Sequence, residues 1–415
     1  MRRLLAHCSV WLVLAPLATS GAEAQTSDRW QACRQAPTRT CLFAEAIQRV
    51  RDDAPSRDIP RYAEWESGLY VRLSAIAEAK KDRILFTEAK RVVSAHAVLQ
   101  TSREAALRTI ALAEVRAGFV DDAVRTIDGV GDLGPVPAEI VAALAVSGRL
   151  PYALTIAEHT AVPAARAQAW SRLARATRNA AYLEKAAASI RDIGDAYEHG
   201  AQSQYLAVAQ ADLGQIARAR RTIRDIGLRA YEALALADIA GLTGNAAFLD
   251  EAKRRAAGLN EQPIDQDAWR AIFQTQIAMG RLSDALQSLK RPELETLPGT
   301  LADDAGALAA AYWIKSGSKS AEGVLTDILN GYAERFWGPA RYALAVGLAD
   351  AGRFDSALLM AFLSDEPNVD WAVAHIALRM AQAQSIPRAL ELIDKVKEPG
   401  ARSPALARIA ILLPP

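Results

Sequence analysis

Leu107-Arg108-Thr109-Ile110-Ala111-Leu112-Ala113-Glu114-Val115-Arg116-Ala117-Gly118-Phe119-Val120-Asp121-Asp122-Ala123-Val124-Arg125-Thr126-Ile127 reads as two helices folded at one glycine. Apolar residues recur at helical spacing before the glycine (Leu107, Ile110, Ala111, Val115) and after it (Val120, Ala123, Val124, Ile127). Gly118 stops the first helix because glycine accepts a left-handed backbone. Asp121 suits the positive end of the next helix. The same turn recurs at Gly148, Gly214, Gly244, Gly280 and Gly352, with Arg178, Ser316 and Gln384 standing in where glycine is missing. Neighbouring turns lie 30 to 36 residues apart, and Lys81 lies 37 residues before Gly118. A period of this size corresponds to one stacked helical hairpin.

A second register runs alongside the first. Alanine lies five residues after the turn at Ala123, Ala153, Ala219, Ala285, Ala321, Ala357 and Ala389, and eight after it at Ala89, Ala186 and Ala252. The last three units share a longer turn. Thr177 to Ala186 and Thr243 to Ala252 are nearly the same segment, 66 residues apart. A small residue seven before the turn recurs as Ala111, Ala207, Ala237, Ala309, Ala345 and Ala377. Small side chains at both places let two helices approach closely, and larger ones would overpack them.

These positions resemble the tetratricopeptide repeat, with its small residue at position 8, glycine at 15 and small residue at 20 of 34. Ala111, Gly118 and Ala123 match all three, as do Ala207, Gly214, Ala219 and Ala345, Gly352, Ala357. Trp269 falls where the family's early tryptophan lies. Most units lack that tryptophan and the family's tyrosine, Pro135 is the one closing proline in place, and unit length varies. The chain resembles a degenerate member over roughly residues 60–400. The resemblance implies an all-α fold, an α-solenoid of about ten stacked antiparallel hairpins wound as a right-handed superhelix, and protein or peptide binding.

Half of the 415 residues are hydrophobic, and only 6% are aromatic. Alanine-rich helices fit this better than sheets. A solenoid also escapes the size limit of a single core, since each unit packs on its neighbours. Residues 1–24 read as a cleavable signal peptide: Arg2 and Arg3, an apolar run to Ala18, then Ala22-Glu23-Ala24. The expected location is therefore periplasmic. Removing this segment leaves 47 basic and 47 acidic residues, which offers no electrostatic footprint for nucleic acid. No later segment reads as a membrane span. Cys33 and Cys41 flank Pro37, and in an oxidising compartment they are expected to form a disulfide. The expected plan is an N-terminal cap with the disulfide loop over 25–58, the solenoid over 59–400 and a C-terminal capping helix over 401–415.

The catalytic inventory is thin. His96, His159, His199 and His375 stand alone, without a second ligand at metal spacing. Asp52-Asp53, Asp121-Asp122 and Asp303-Asp304 are sequence neighbours, which do not face one another on a helix. Phosphate-loop and nucleophile-elbow motifs are absent. Glu66-Ser67 shares the Glu-Ser pair of lytic transglycosylases, but the Gly-Leu-Met-Gln run that follows in that family is missing. No metal and no cofactor are expected.

What remains is a surface. In tetratricopeptide-like stacks the first helix of each unit lines the concave face. Counting back from the turns places Arg108, Arg116, Gln168, Arg172, Arg175, Gln204, Asp238, Arg270, Gln274 and Trp313 there. Arginine forks suit carboxylates and main-chain carbonyls. The leading expectation is a non-enzymatic scaffold binding a protein or peptide on that face. The alternatives are a cell-wall hydrolase or its accessory, and a structural spacer in an envelope complex.

Overall fold

The computed structural model describes residues 29–52, 62–96, 100–128, 138–259, 263–289, 298–316, 321–330, 337–364 and 368–414. The signal segment, Pro55, Pro60 and Pro135 lie outside them, as do the side chains of Glu66 and His96. Every regular element among the described residues is helical.

A short helix α1 (29–35) is followed by α2 (Arg39–Asp52). The hairpins then run α3 (Tyr62–Lys80) with α4 (Arg83–His96), α5 (Gln100–Ala117) with α6 (Val120–Asp128), and α7 (Ala138–Leu144) with α8 (Leu150–His159). Next come α9 (Pro163–Thr177) with α10 (Ala181–Arg191), α11 (Ala196–Asp212) with α12 (Ile216–Asp225), and α13 (Arg229–Thr243) with α14 (Ala246–Ala256). The series continues with α15 (Pro263–Ala278) and α16 (Leu282–Leu289), then α17 (Pro298–Ser316) and α18 (Ala321–Leu329). It ends with α19 (Trp337–Asp350) and α20 (Phe354–Phe362), α21 (Asn368–Gln382) and α22 (Ile386–Lys395), and α23 (Pro399–Ala410).

Apart from Ser316, whose turn runs into 317–320 outside the described residues, the turns are where the repeat predicts them. Gly118, Gly148, Gly214, Gly244, Gly280 and Gly352 all take positive φ, between 68° and 90°. Lys81, Arg178 and Gln384 take the same conformation at 54°, 54° and 65°, although a side chain there is strained. The three longer turns share a further device. Asp82, Asn179 and Asn245 each follow the left-handed residue, and each accepts a hydrogen bond through Oδ1 from the backbone two residues on, at 2.9, 3.0 and 3.0 Å. This Asx cap satisfies an orphan amide at the start of the next helix. Between α7 and α8 the chain keeps helical hydrogen bonding through a π turn, Ala145–Arg149. Contrary to the expectation that no later segment reads as a membrane span, the run Ala138–His159 is long and apolar enough to cross one by length and composition alone. Gly148, at φ 87°, breaks it into two short arms.

The alanine registers are the core. Ala111, Ala207, Ala237, Ala309, Ala345 and Ala377 are fully buried, as are Ala89, Ala123, Ala153, Ala186, Ala252, Ala285, Ala357 and Ala389. First helices touch the next first helices, whereas second helices scarcely meet, so the first helices form the inner layer. The tightest crossing is α17 on α19. A Cβ at Gly306 would overlap the carbonyl oxygen of Ala340, and one at Gly347 would overlap Ala310.

The two ends of the chain do not cap opposite ends of a stack. Helix α23 packs on α21, as the series requires, but also on α3 and along the whole of α2. The neighbour contacts therefore close into a ring of eleven hairpins among the described residues. The closing hairpin is built from both termini, α23 as its first helix and α2 as its second. Asp394 on α22 joins α1 to α23, accepting from Trp30 Nε1 at 2.8 Å, Arg34 at 2.9 Å and Arg402 at 3.1 Å. A Cys33–Cys41 disulfide ties α1 to the start of α2. One hydrophobic core runs through the joint, from Trp30 and Phe43 to Leu406 and Leu413. The physical reason is exposure: at either end of an open stack the faces of α2 and α23 would stay in water, and each covers the other.

Candidate functional site

The inner layer carries polar side chains that reach from one first helix to the next. Arg172 on α9 meets Glu139 on α7 at 3.0 Å. Arg175 on α9 meets Asp212 on α11 at 3.0 Å, where Arg178 joins it at 3.4 Å. Gln204 on α11 donates to Asp238 on α13 at 2.8 Å. On α15, Arg270 lies 3.3 Å from Asp304 of α17, and Gln274 donates to the same carboxylate at 3.5 Å. His375 and Arg379 of α21 reach back to Asp350 of α19 at 2.8 and 3.0 Å. The result is a track of rungs, each bridging two repeats.

Of the sequence-predicted residues, Arg172, Arg175, Gln204, Asp238, Arg270 and Gln274 are brought together in these rungs. Arg108 pairs within its own helix, 3.8 Å from Glu104. Arg116 stands apart, beside Glu78 at the joint. Gln168 is half-buried on α9. Trp313 lies under the guanidinium of Arg353, 5.8 Å from its ring centre. Sequence counting named one of the acids, Asp238, but not Glu139, Asp212, Asp304 or Asp350. Each acid belongs to a neighbouring repeat, so no spacing within one unit reveals the pairing.

Burial sets the electrostatics of the track. It pushes the Asp304 carboxyl up to about 6, although Arg270 and Gln274 pull it back. Asp238 is raised for the same reason, against Gln204 and Arg175. Asp303 is raised by burial too, with Arg270 opposing. Desolvation outweighs the nearby charge at all three positions. The inner arginines remain about one-third exposed, Arg172 at 38%, Arg175 at 37% and Arg270 at 31%. The wall thus presents arginines still open to a second partner, beside acids that are more deeply buried, Asp212 at 21% and Asp304 at 7% exposed.

A deeper polar set lies between the two helices of a hairpin. Glu114 accepts from Thr126, twelve residues on, at 2.7 Å and from Lys90 at 2.8 Å. Gln210 accepts from Thr222, again twelve residues on, at 2.8 Å. Gln276 occupies the same place in its unit, fully buried, with Ser288 twelve residues on, but its side-chain amide makes no hydrogen bond. The signal was present in the sequence as a polar residue four before the turn, in a stripe otherwise apolar. The Glu114 and Gln210 pairs are structural: a buried polar group needs its partner.

Other candidates disperse. His159 bonds its own helix at Thr155 O, 2.8 Å away. Trp170 and Trp269 are buried in inter-repeat packing, whereas Trp371 is 45% exposed. No group of three metal-ligating side chains occurs among the described residues.

No protein-family model matches the chain, and no curated protein matches it. Among solved structures, a similarity is found to Ton1535 from Thermococcus onnurineus NA1. It has 16% identity over 71% of this chain and 96% of that chain, with a TM-score of 0.27, too distant to bear on fold or role.

Proposed function

We propose that this chain is an exported, non-enzymatic helical-repeat scaffold that binds a protein or peptide partner on its inner wall. The observation that carries the proposal is the track of Arg–acid and Gln–acid rungs bridging neighbouring first helices, with their arginines about one-third exposed. Alternating donors and acceptors suit an extended main chain, which offers the same alternation. Arginine adds a planar fork that can hold a carbonyl while keeping its acid. The glycine turns and buried alanine registers support the tetratricopeptide-like reading. The basic start and small-residue site of residues 1–24 support export to the periplasm.

The test is capture from an envelope extract followed by crosslinking mass spectrometry. The full chain should recover a saturable partner whose crosslinks fall on α9, α11 and α15. The Arg172→Glu/Arg175→Glu double variant should lose it while keeping the helical circular dichroism. Failure of the wild type to retain any saturable partner, or equal retention by the double variant, defeats the proposal.

A further inference from the structure

A cavity of about 760 Å³ opens where the two ends of the chain meet. Such a volume accommodates a small organic molecule. Five cations line it: Arg39 at the start of α2, Lys80 and Lys81 at the end of α3, Arg116 at the end of α5 and Arg408 near the end of α23. One acid, Glu78, shares the wall.

The plain explanation for basic residues here is the helix macrodipole, since three helices end at this place. Magnitudes show that it does not account for all five. Each helix end asks for about half a unit of positive charge. Lys80 is taken by Asp82 at 2.6 Å. Glu78 sits in the field of Arg116 and Arg408, yet burial still raises its carboxyl above the usual range. After three helix ends, Asp82 and Glu78 are satisfied, the cations remain in excess by more than one unit.

Two further observations point to a ligand. Arg39 donates through Nη2 to the carbonyl of Ile411 at 3.0 Å, but its Nε is buried with no partner. A buried donor left unmet is costly. Apart from Gln382 the remaining wall is apolar: Phe43 and Leu378, with Ile411 and Leu412 exposed at 43% and 38%. Cationic groups and uncovered aliphatic side chains line the same cavity.

We propose that this cavity binds a small amphipathic anion, with one carboxylate or phosphate head among the cations and an apolar body against Ile411, Leu412 and Leu378. The site exists only when the ring is closed, because α2 and α23 both line it. Its occupant therefore also tightens the joint by mass action.

The test is isothermal titration calorimetry on the full chain with decanoate and decyl phosphate, each below its micellar concentration. Inorganic phosphate and decyltrimethylammonium serve as comparisons. At least one anion should bind saturably at one site and raise the melting temperature, and whichever binds identifies the head group. Inorganic phosphate should bind at least about tenfold more weakly, since each buried methylene adds to affinity. Lys81→Gly removes a cation at a position that prefers glycine, so it cannot fail for lack of folding. It and Arg116→Gln should each weaken binding roughly tenfold, as loss of a charge-assisted contact does. The proposal is overturned if neither anion binds, if decyltrimethylammonium binds equally well, if inorganic phosphate binds as tightly as decyl phosphate, or if both variants keep wild-type affinity.

Discussion

Trp30 donates its indole N–H to Asp394 across 364 residues of sequence, and this bond marks the place where the ring closes. Arg402 lies 5.6 Å from the same indole ring and bonds the same carboxylate, so charge and aromatic packing converge on one joint. Removing Asp394 leaves three donors without their acceptor. Asp394→Ala should lower unfolding free energy by about 1–3 kcal/mol. Hydrogen exchange should accelerate first in α2 and α23, since local opening precedes global unfolding. Uniform acceleration throughout the chain would contradict a closure held at this point.

The disulfide acts on the same joint. Cys33–Cys41 closes a short loop, which corresponds to roughly 2–3 kcal/mol in the chain-entropy account. Its loss in a Cys33→Ser/Cys41→Ser variant should also loosen the seat of Trp30. Combined with Asp394→Ala the effects should therefore fall short of their sum, because both act on one contact. Strict additivity by chemical denaturation would place the disulfide outside the closure.

The left-handed turns give opposite predictions at matching positions. Gln384 holds φ 65° with a side chain, so Gln384→Gly should stabilise by about 0.5–1 kcal/mol. Gly214 holds φ 79°, so Gly214→Ala should destabilise by about 1–2 kcal/mol. Urea midpoints compared at equal slope would decide both.

Gly306 tests the small-residue packing rather than the backbone. Gly306→Ala drives a methyl group into the backbone of α19 and should cost at least about 1–3 kcal/mol. A neutral outcome would mean that α17 and α19 do not cross this closely.

Asp304 predicts a pH dependence. Its carboxyl titrates at about 6 in the folded chain, against about 3.9 when unfolded. Between these values the native state holds a proton that the unfolded state has lost, so stability falls as pH rises from 4 to 6. The difference corresponds to about 3 kcal/mol as an upper limit. Asp304→Asn should flatten this part of the stability–pH curve and exceed the wild type at pH 8. An unchanged slope would remove Asp304 as its source.

The sequence alone determined the helices, their turns and their packing face. Gly118, Ala111 and Ala123 each carry information that is local to one hairpin: a backbone angle, or a side chain small enough for two helices to touch. Such information repeats along the chain and can be read unit by unit. Only the tertiary structure decided that the wall closes. Closure depends on the small rotation between neighbours accumulated over eleven units, and no single unit shows it. Asp394 looks like any surface acid until Trp30 and Arg402 arrive beside it. The pairing of Arg175 with Asp212, and of Gln204 with Asp238, was hidden for the same reason, because each contact joins two units whose relative placement no single-unit pattern encodes.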